Sequence, residues 1–313
     1  MKQRNVMLGL VQTKAGSDIN ENIDRACQFT EDAAKKGAKI ICLQELYNTT
    51  YFPQYENADK DSFAETIPGV STARFQNIAK KYRVVVIVPL YEKKKVKGAW
   101  KYYNSAVVIN EKGVLLDVYH KTHIPHDPGF YEKNYFAEGE SGYRIYKTSF
   151  ATFAVLICYD QWFPEAARVA RLGGAEIIFY PTAIGSIVGY TPPEGDWHTA
   201  WETMMRSHAI ANSVHVASIN RVGKEGRMHF WGQSFASDPF GNILARGSKT
   251  KEEALLVEID LERNNFVADG WGFLRNRRPS TYKLLTTQAL IEKSKKLKNI
   301  EQYKTTQKAL GKK

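Results

Sequence analysis

The sequence predicts an α/β protein built from packed layers of sheet and helix, and three features predict it. Strand-like and helix-like segments alternate from the first apolar run onward, the pattern of layered α/β architecture. The run Val84-Val-Val-Ile-Val88 is β-branched or apolar throughout, as a strand buried on both faces reads. No Gly/Pro/Ser-rich linker or shift of composition interrupts the alternation before about Leu285. We therefore expect one domain over residues 1–285 and a basic extension over residues 286–313. With 313 residues, 43% of them apolar and 12% aromatic, the chain can bury a large core, which excludes disorder for most of its length.

The elements follow in order. Residues 6–12 read as a buried strand; the apolar run is too short for a signal segment or a membrane span, and a cytoplasmic protein is expected. Residues 20–36 repeat apolar side chains at Ile23, Ala26, Cys27, Thr30 and Ala33, a helical period that Gly37 stops in the left-handed region. Residues 38–44 form a second buried strand ending at Glu45. Residues 71–82 read as a helix capped by Ser71 or Thr72, and 84–88 as a strand. Residues 103–110 and 114–120 pair as a hairpin across Glu111-Lys-Gly113. Strands at 143–148 and 152–157 lead to a helix at 164–172 and a strand at 176–180. A helix at 197–213, a strand at 215–220, a hairpin around Asp238-Pro-Phe-Gly-Asn242 and a strand at 255–259 complete the set. Such a mixture implies one mixed sheet, or two sheets packed together with helices outside.

Charge and cysteine content narrow the function classes. Of the net charge of +11, +6 lies in residues 286–313, where eight Lys stand against two Glu. A solvated helix or frayed extension accounts for that tail. A nucleic-acid-binding protein using it is the rival function, and the near absence of aromatic residues there argues against it. Three cysteines, Cys27, Cys42 and Cys158, suit a reducing compartment and no disulfide framework. His120, His123 and His126 surround a proline-containing loop without a fourth ligand at metal spacing, so no metal is expected.

Four side chains stand where chemistry is done. Glu45 closes an apolar strand at its carboxyl end, where α/β folds place ligands. Cys158 lies between an apolar strand and a helix opened by Pro164, where the helix dipole should lower its pKa and favour the thiolate. Lys121 leaves a buried strand into a loop rich in Pro, Gly and His that also carries Glu132. Singly, each has an ordinary structural use: a cap, a surface lysine, an inert thiol such as Cys27 or Cys42. Together, an acid, a base and a thiol at strand ends can converge on one rim.

At these residues the sequence resembles the nitrilase superfamily of C–N hydrolases, over roughly residues 5–285. Leu43-Gln-Glu45 is similar to the family's glutamate signature, His120-Lys-Thr-His-Ile-Pro125 to its lysine signature, and Ile157-Cys-Tyr-Asp160 with Phe163-Pro-Glu165 to its cysteine signature. The resemblance implies a four-layer α-β-β-α sandwich. It also implies Cys158 as nucleophile, Glu45 as general base, Lys121 as electrostatic stabiliser and Glu132 as a second active-site glutamate. The oxyanion would be received by Lys121 and the backbone N–H of Tyr159. No cofactor is called for, and a homo-oligomer formed through the helix at 164–172 is implied.

The segments from Cys158 to Arg168, 174–186 and Gly270-Trp-Gly-Phe-Leu-Arg-Asn-Arg-Arg-Pro279 are similar to the branch of the superfamily that hydrolyses N-carbamoylputrescine. Relatives acting on N-carbamoyl amino acids place an arginine shortly after the cysteine to grip a carboxylate; here Gln161 and Trp162 stand there. That implies a carbamoyl-amine substrate with a cationic tail, met by Glu194 and Asp196, although Asp196 is equally placed to cap the next helix. Another carbamoyl or aliphatic amide, such as N-carbamoyl-β-alanine, is the alternative. His208, Met204 and Met205 read as packing residues, and His123 and His126 as residues at a pocket mouth without a proton-transfer role.

Overall fold

The computed structural model describes residues 3–287, so the predicted basic extension lies outside the described residues from residue 288 onward. The first half of the chain contains β1 (Asn5–Gln12), α1 (Ile19–Lys35), β2 (Ile40–Leu43), α2 (Val70–Tyr82), β3 (Val85–Val96), β4 (Ala99–Ile109), β5 (Leu115–His120), β6 (Ile145–Lys147) and β7 (Thr152–Val155). The second half contains α3 (Pro164–Leu172), β8 (Ile177–Pro181), β9 (Gly185–Ile187), α4 (Trp197–Asn212), β10 (His215–Ile219), β11 (Val222–Glu225) and β12 (Met228–Trp231). It closes with β13 (Phe235–Ser237), β14 (Ile243–Arg246), β15 (Glu253–Asp260) and α5 (Glu262–Trp271).

Two six-stranded mixed sheets result, ordered β15-β1-β2-β3-β4-β5 and β14-β13-β10-β8-β7-β6, with a small third sheet β11-β12-β9. Alternation along single strands shows how they stack. In β2, Ile40 and Cys42 join the core between the two large sheets, where Phe153, Ile177 and Phe179 meet them from the other side. Ile41 and Leu43 face the opposite way and pack with Ile23 and Ala26 of α1 and Phe75 and Ile78 of α2. On the far side, Ala166, Ala167 and Ala170 of α3 and Trp201, Met205 and Ala209 of α4 cover the second sheet. The layers run α-β-β-α, as expected. Among the described residues, no helix is long and apolar enough to cross a membrane.

Several boundaries differ from expectation, each for a physical reason. The predicted strand at 84–88 is the start of twelve-residue β3, which pairs with β4 from Val86↔Ile109 to Val96↔Ala99. Pro89, which cannot donate to a ladder, hides that continuation, and the tight turn is closed by Lys97 and Gly98, both left-handed at φ 50° and 87°. Helix α2 does not start at Ser71 or Thr72, although Thr72 Oγ1 accepts the Gly69 N–H at 2.8 Å from within the first turn. Its N-cap is Gly69, and the carboxylate of Glu65 accepts the free Ser71 N–H at 3.0 Å. The strand at 152–157 stops at Val155, and Cys158 opens a short 3-10 turn rather than the helix itself. Three short strands, β9, β11 and β12, and helix α5 carry no periodicity long enough to announce them.

Phe153 is fully buried between the sheets and meets Phe179 edge to face at 5.4 Å. Phe153→Ala should cost about 3–5 kcal/mol of stability in urea unfolding. A loss below about 1 kcal/mol would show that this layer repacks freely.

Candidate active site

The ends of the strands assemble the site. Glu45 follows β2 by two residues, Lys121 follows β5 directly, Cys158 follows β7, and Glu132 opens a 3-10 turn, Glu132–Asn134, in the loop after Lys121. All four are buried. The Lys121 ammonium sits between two carboxylates, 2.9 Å from Glu45 Oε1 and 2.6 Å from Glu132 Oε2. Asn104 of β4 donates through Nδ2 to Glu45 Oε1 at 2.7 Å, and its carbonyl accepts the Lys121 N–H at 2.9 Å. The Tyr51 hydroxyl donates to Glu132 Oε1 at 2.7 Å. Three carboxylate oxygens are thereby occupied. The fourth, Glu45 Oε2, is buried and has no hydrogen-bond partner among the described residues.

Cys158 has a left-handed backbone, φ 42°, a conformation that only a constrained turn imposes on a residue with a side chain. Asp160 is the constraint. Its carboxylate accepts the Ile157 N–H at 3.0 Å, the Tyr119 hydroxyl at 2.7 Å and the His123 N–H at 2.9 Å, with His123 Nδ1 also 2.7 Å away. The turn bearing the thiol is thus tied to the loop that follows Lys121. His123, expected at the pocket mouth, instead stacks on Phe163 at 3.6 Å and lies outside the main cavity lining, whereas His126 lines it.

Burial and mutual charge set the protonation states. Burial opposes the Lys121 ammonium, but Glu132 and Glu45 outweigh it and raise its pKa, so it stays charged. Burial raises the Glu132 pKa against the pull of Lys121, with Glu45 adding to the rise. The surroundings of Cys158 run against the thiolate expected of it. Burial and the charge of Glu45 push the thiol well above its ordinary range, and Lys121 and a hydrogen bond from the Ala183 backbone only partly offset them. The helix that was to supply the favourable dipole begins at Pro164, six residues on.

The site opens into a cavity of about 580 Å³. Glu132 and Cys158 share its lining with the aromatic side chains of Phe130, Tyr159, Trp162, Tyr190 and Trp197 and with two further acids, Asp127 and Glu194. Among the described residues, no Arg or Lys lines it. Gln161 reaches it too, with its side-chain oxygen fixed by Trp201 Nε1 at 3.0 Å and Thr182 Oγ1 at 3.3 Å. His208, expected only to pack, bonds through Nε2 to the Gln161 carbonyl at 2.8 Å. Glu194 accepts the indole N–H of Trp197 at 2.7 Å. Asp196 is elsewhere: its two oxygens accept the N–H groups of His198 and Thr199, capping α4, and it does not line the cavity.

Residues 7–268 match the family model of the carbon-nitrogen hydrolases. The chain belongs to that family. As a C–N hydrolase it is an amide-hydrolysing enzyme, similar at 38% identity over 296 residues to an N-carbamoylputrescine amidase of Arabidopsis thaliana, covering 91% of this chain and 97% of that one. A crystal structure of a carbon-nitrogen hydrolase from Helicobacter pylori G27 superimposes with a TM-score of 0.86 at 39% identity, covering 91% and 100% of the two chains. Nit3 of Saccharomyces cerevisiae, a nitrilase-superfamily member, does so with a TM-score of 0.73 at 26% identity, covering 88% and 97%. The fold of the hydrolase is therefore the nitrilase-type sandwich.

Sequence reasoning missed Asn104, Tyr51 and Asp127. Asn104 lies inside a strand and Tyr51 in an irregular stretch, and each meets its carboxylate across 59 and 81 residues of chain. Asp127 had a visible signal, an acid within the His/Pro/Gly loop between Lys121 and Glu132.

Because burial and Glu45 both disfavour the anion, Cys158 in the resting hydrolase should be a neutral thiol through the neutral range. Thiolate ultraviolet absorbance, taken as the difference between wild type and Cys158→Ser, should be absent at neutral pH and develop only in the alkaline range. A thiolate signal already present at neutral pH would contradict this.

Proposed function

We propose that this hydrolase converts N-carbamoylputrescine to putrescine, carbon dioxide and ammonia, with Cys158 as nucleophile. The observation that carries the reading is the cavity lining: aromatic faces and the acids Asp127 and Glu194, with no cation among the described residues to meet a carboxylate. A substrate tail ending in an ammonium fits such a surface. The similar Arabidopsis protein is an N-carbamoylputrescine amidase, which supports the same substrate. An anionic ureido acid such as N-carbamoyl-β-alanine would leave its carboxylate facing acids and unpaired.

The chemistry follows from the resting protonation states. The thiol is neutral, so its proton must leave as it attacks, and Glu45 Oε2 is the free buried acceptor. The sulfur adds to the ureido carbon, and the negative charge that builds on the carbonyl oxygen is met by the Lys121 ammonium and the Tyr159 backbone N–H. Glu45 returns the proton to the departing nitrogen, which leaves as ammonia and yields a carbamoyl thioester on Cys158. Water, deprotonated by Glu45, attacks that thioester and restores the thiol. The product carbamic acid loses carbon dioxide to give the amine. Glu132 fixes the ammonium throughout, so that Lys121 need not reorganise as charge develops. Gln161 and Trp162 flank the ureido group, and Asp127 with Glu194 receive the far ammonium. We also propose that copies associate through α3, which exposes Val169 and Leu172.

Ammonia release at neutral pH should favour N-carbamoylputrescine over N-carbamoyl-β-alanine by at least about tenfold in kcat/KM, a difference of about 1.4 kcal/mol. Cys158→Ala should fold and release none. Equal or reversed preference would sink the substrate assignment, and turnover by Cys158→Ala would sink the nucleophile.

A further inference from the structure

Behind the reacting centre lies a second buried charge pair that never reaches the cavity. Arg221, just after β10, is fully buried, and its Nη1 donates to both oxygens of Glu225 at 2.7 Å. Its Nη2 faces three backbone carbonyls, those of Glu45 at 2.9 Å, Leu46 at 2.7 Å and Thr49 at 3.2 Å. Glu225 Oε2 in turn accepts the Tyr51 N–H at 2.7 Å. The segment 45–51 is therefore held from one side along its whole length. Its first residue places a carboxylate on Lys121, and its last places a hydroxyl on Glu132.

That segment needs an external hold. It is an irregular turn with Leu46 in the left-handed region at φ 49°, and its converging carbonyls lie outside any ladder, with a turn hydrogen bond from the Thr49 N–H at 3.1 Å serving that of Leu46. A guanidinium meets the requirement because it presents several N–H donors in one rigid plane, pairing a carboxylate on one side and carbonyls on the other. A buried ion pair is not in itself strong evidence of stability, since an apolar pair of similar volume often does as well. What an apolar pair cannot do is fix the positions of three carbonyls and an N–H.

We propose that Arg221 and Glu225 are positioning residues for catalysis: a buried strut that sets the separation of Glu45 from Tyr51 and so keeps Lys121 between its two carboxylates. Neither residue lines the cavity, and their side-chain hydrogen bonds run to each other and to segment 45–51, so their effect on the chemistry passes through that segment. The inference rests on the role given above to Glu45 and is independent of which carbamoyl compound the cavity takes.

The test compares Arg221→Lys, which keeps the charge but loses the planar fork, with Arg221→Met/Glu225→Gln, which removes both charges. Each is assayed on whichever compound the wild type hydrolyses, N-carbamoylputrescine or N-carbamoyl-β-alanine, and followed by urea unfolding, with Glu45→Gln as reference. We expect both to fold and bind, with KM within about threefold of wild type, while kcat falls about a hundredfold, as a small misplacement of catalytic groups does. Folded protein with kcat within about threefold of wild type in either variant overturns the strut, as does a kcat loss that merely tracks the fraction unfolded. Should the double variant not fold, Arg221→Lys alone decides by the same criterion. If Glu45→Gln itself keeps wild-type kcat, it is the reading of Glu45 that fails, and the strut loses its purpose with it.

Discussion

One buried ammonium organises this enzyme. Lys121 has no access to water, and a charge so placed is tolerable only if it is paired and hydrogen-bonded. Two carboxylates supply the pairing, but they repel each other, so each needs donors of its own, and Asn104 and Tyr51 provide them. The arrangement occupies three of the four carboxylate oxygens and leaves Glu45 Oε2 free beside a thiol whose proton burial has made hard to lose. In the proposed mechanism, Glu45 as base and Cys158 as nucleophile both stay uncommitted until a substrate carbonyl arrives to accept charge.

The fold serves that constraint from several directions at once. β2 and β5 lie in one sheet and deliver Glu45 and Lys121, while β7 of the facing sheet delivers Cys158. Contacts that join the sheets therefore also set the geometry of the site. Asp160 is one such contact, binding the cysteine turn to Tyr119 and His123 of the lysine segment. Arg221 is another, reaching from the end of β10 to the turn that follows β2.

How much of this was legible in the sequence depends on how far each contact reaches along the chain. Glu45 and Cys158 close largely apolar runs and Lys121 leaves a mixed strand, signals too weak singly, so it is their conjunction and the resemblance of their flanking motifs to the nitrilase superfamily that single them out. Periodicity of the same short range gives a layered α/β protein, and the resemblance the four-layer sandwich. Asn104 and Tyr51 are indistinguishable from other polar or aromatic residues until the chain has folded, since their partners are remote in sequence. The surroundings of the thiol are hidden for a related reason: the sequence shows a helix after Cys158 but shows neither the intervening 3-10 turn nor the nearby Glu45 charge. Asp196 shows the reverse case, in which the local reading as a helix cap describes its observed contacts. Pro89 concealed half of the longest hairpin by looking like a strand's end.

The measurement that bears most directly on this account is a crystal structure of Cys158→Ala with N-carbamoylputrescine bound. The ureido carbon should lie beside residue 158, its oxygen within hydrogen-bond reach of the Lys121 ammonium, and the far ammonium among Asp127, Glu194 and the aromatic faces around them. A substrate bound with its ureido oxygen turned away from Lys121, or with its amine at the Glu45 end, would contradict it.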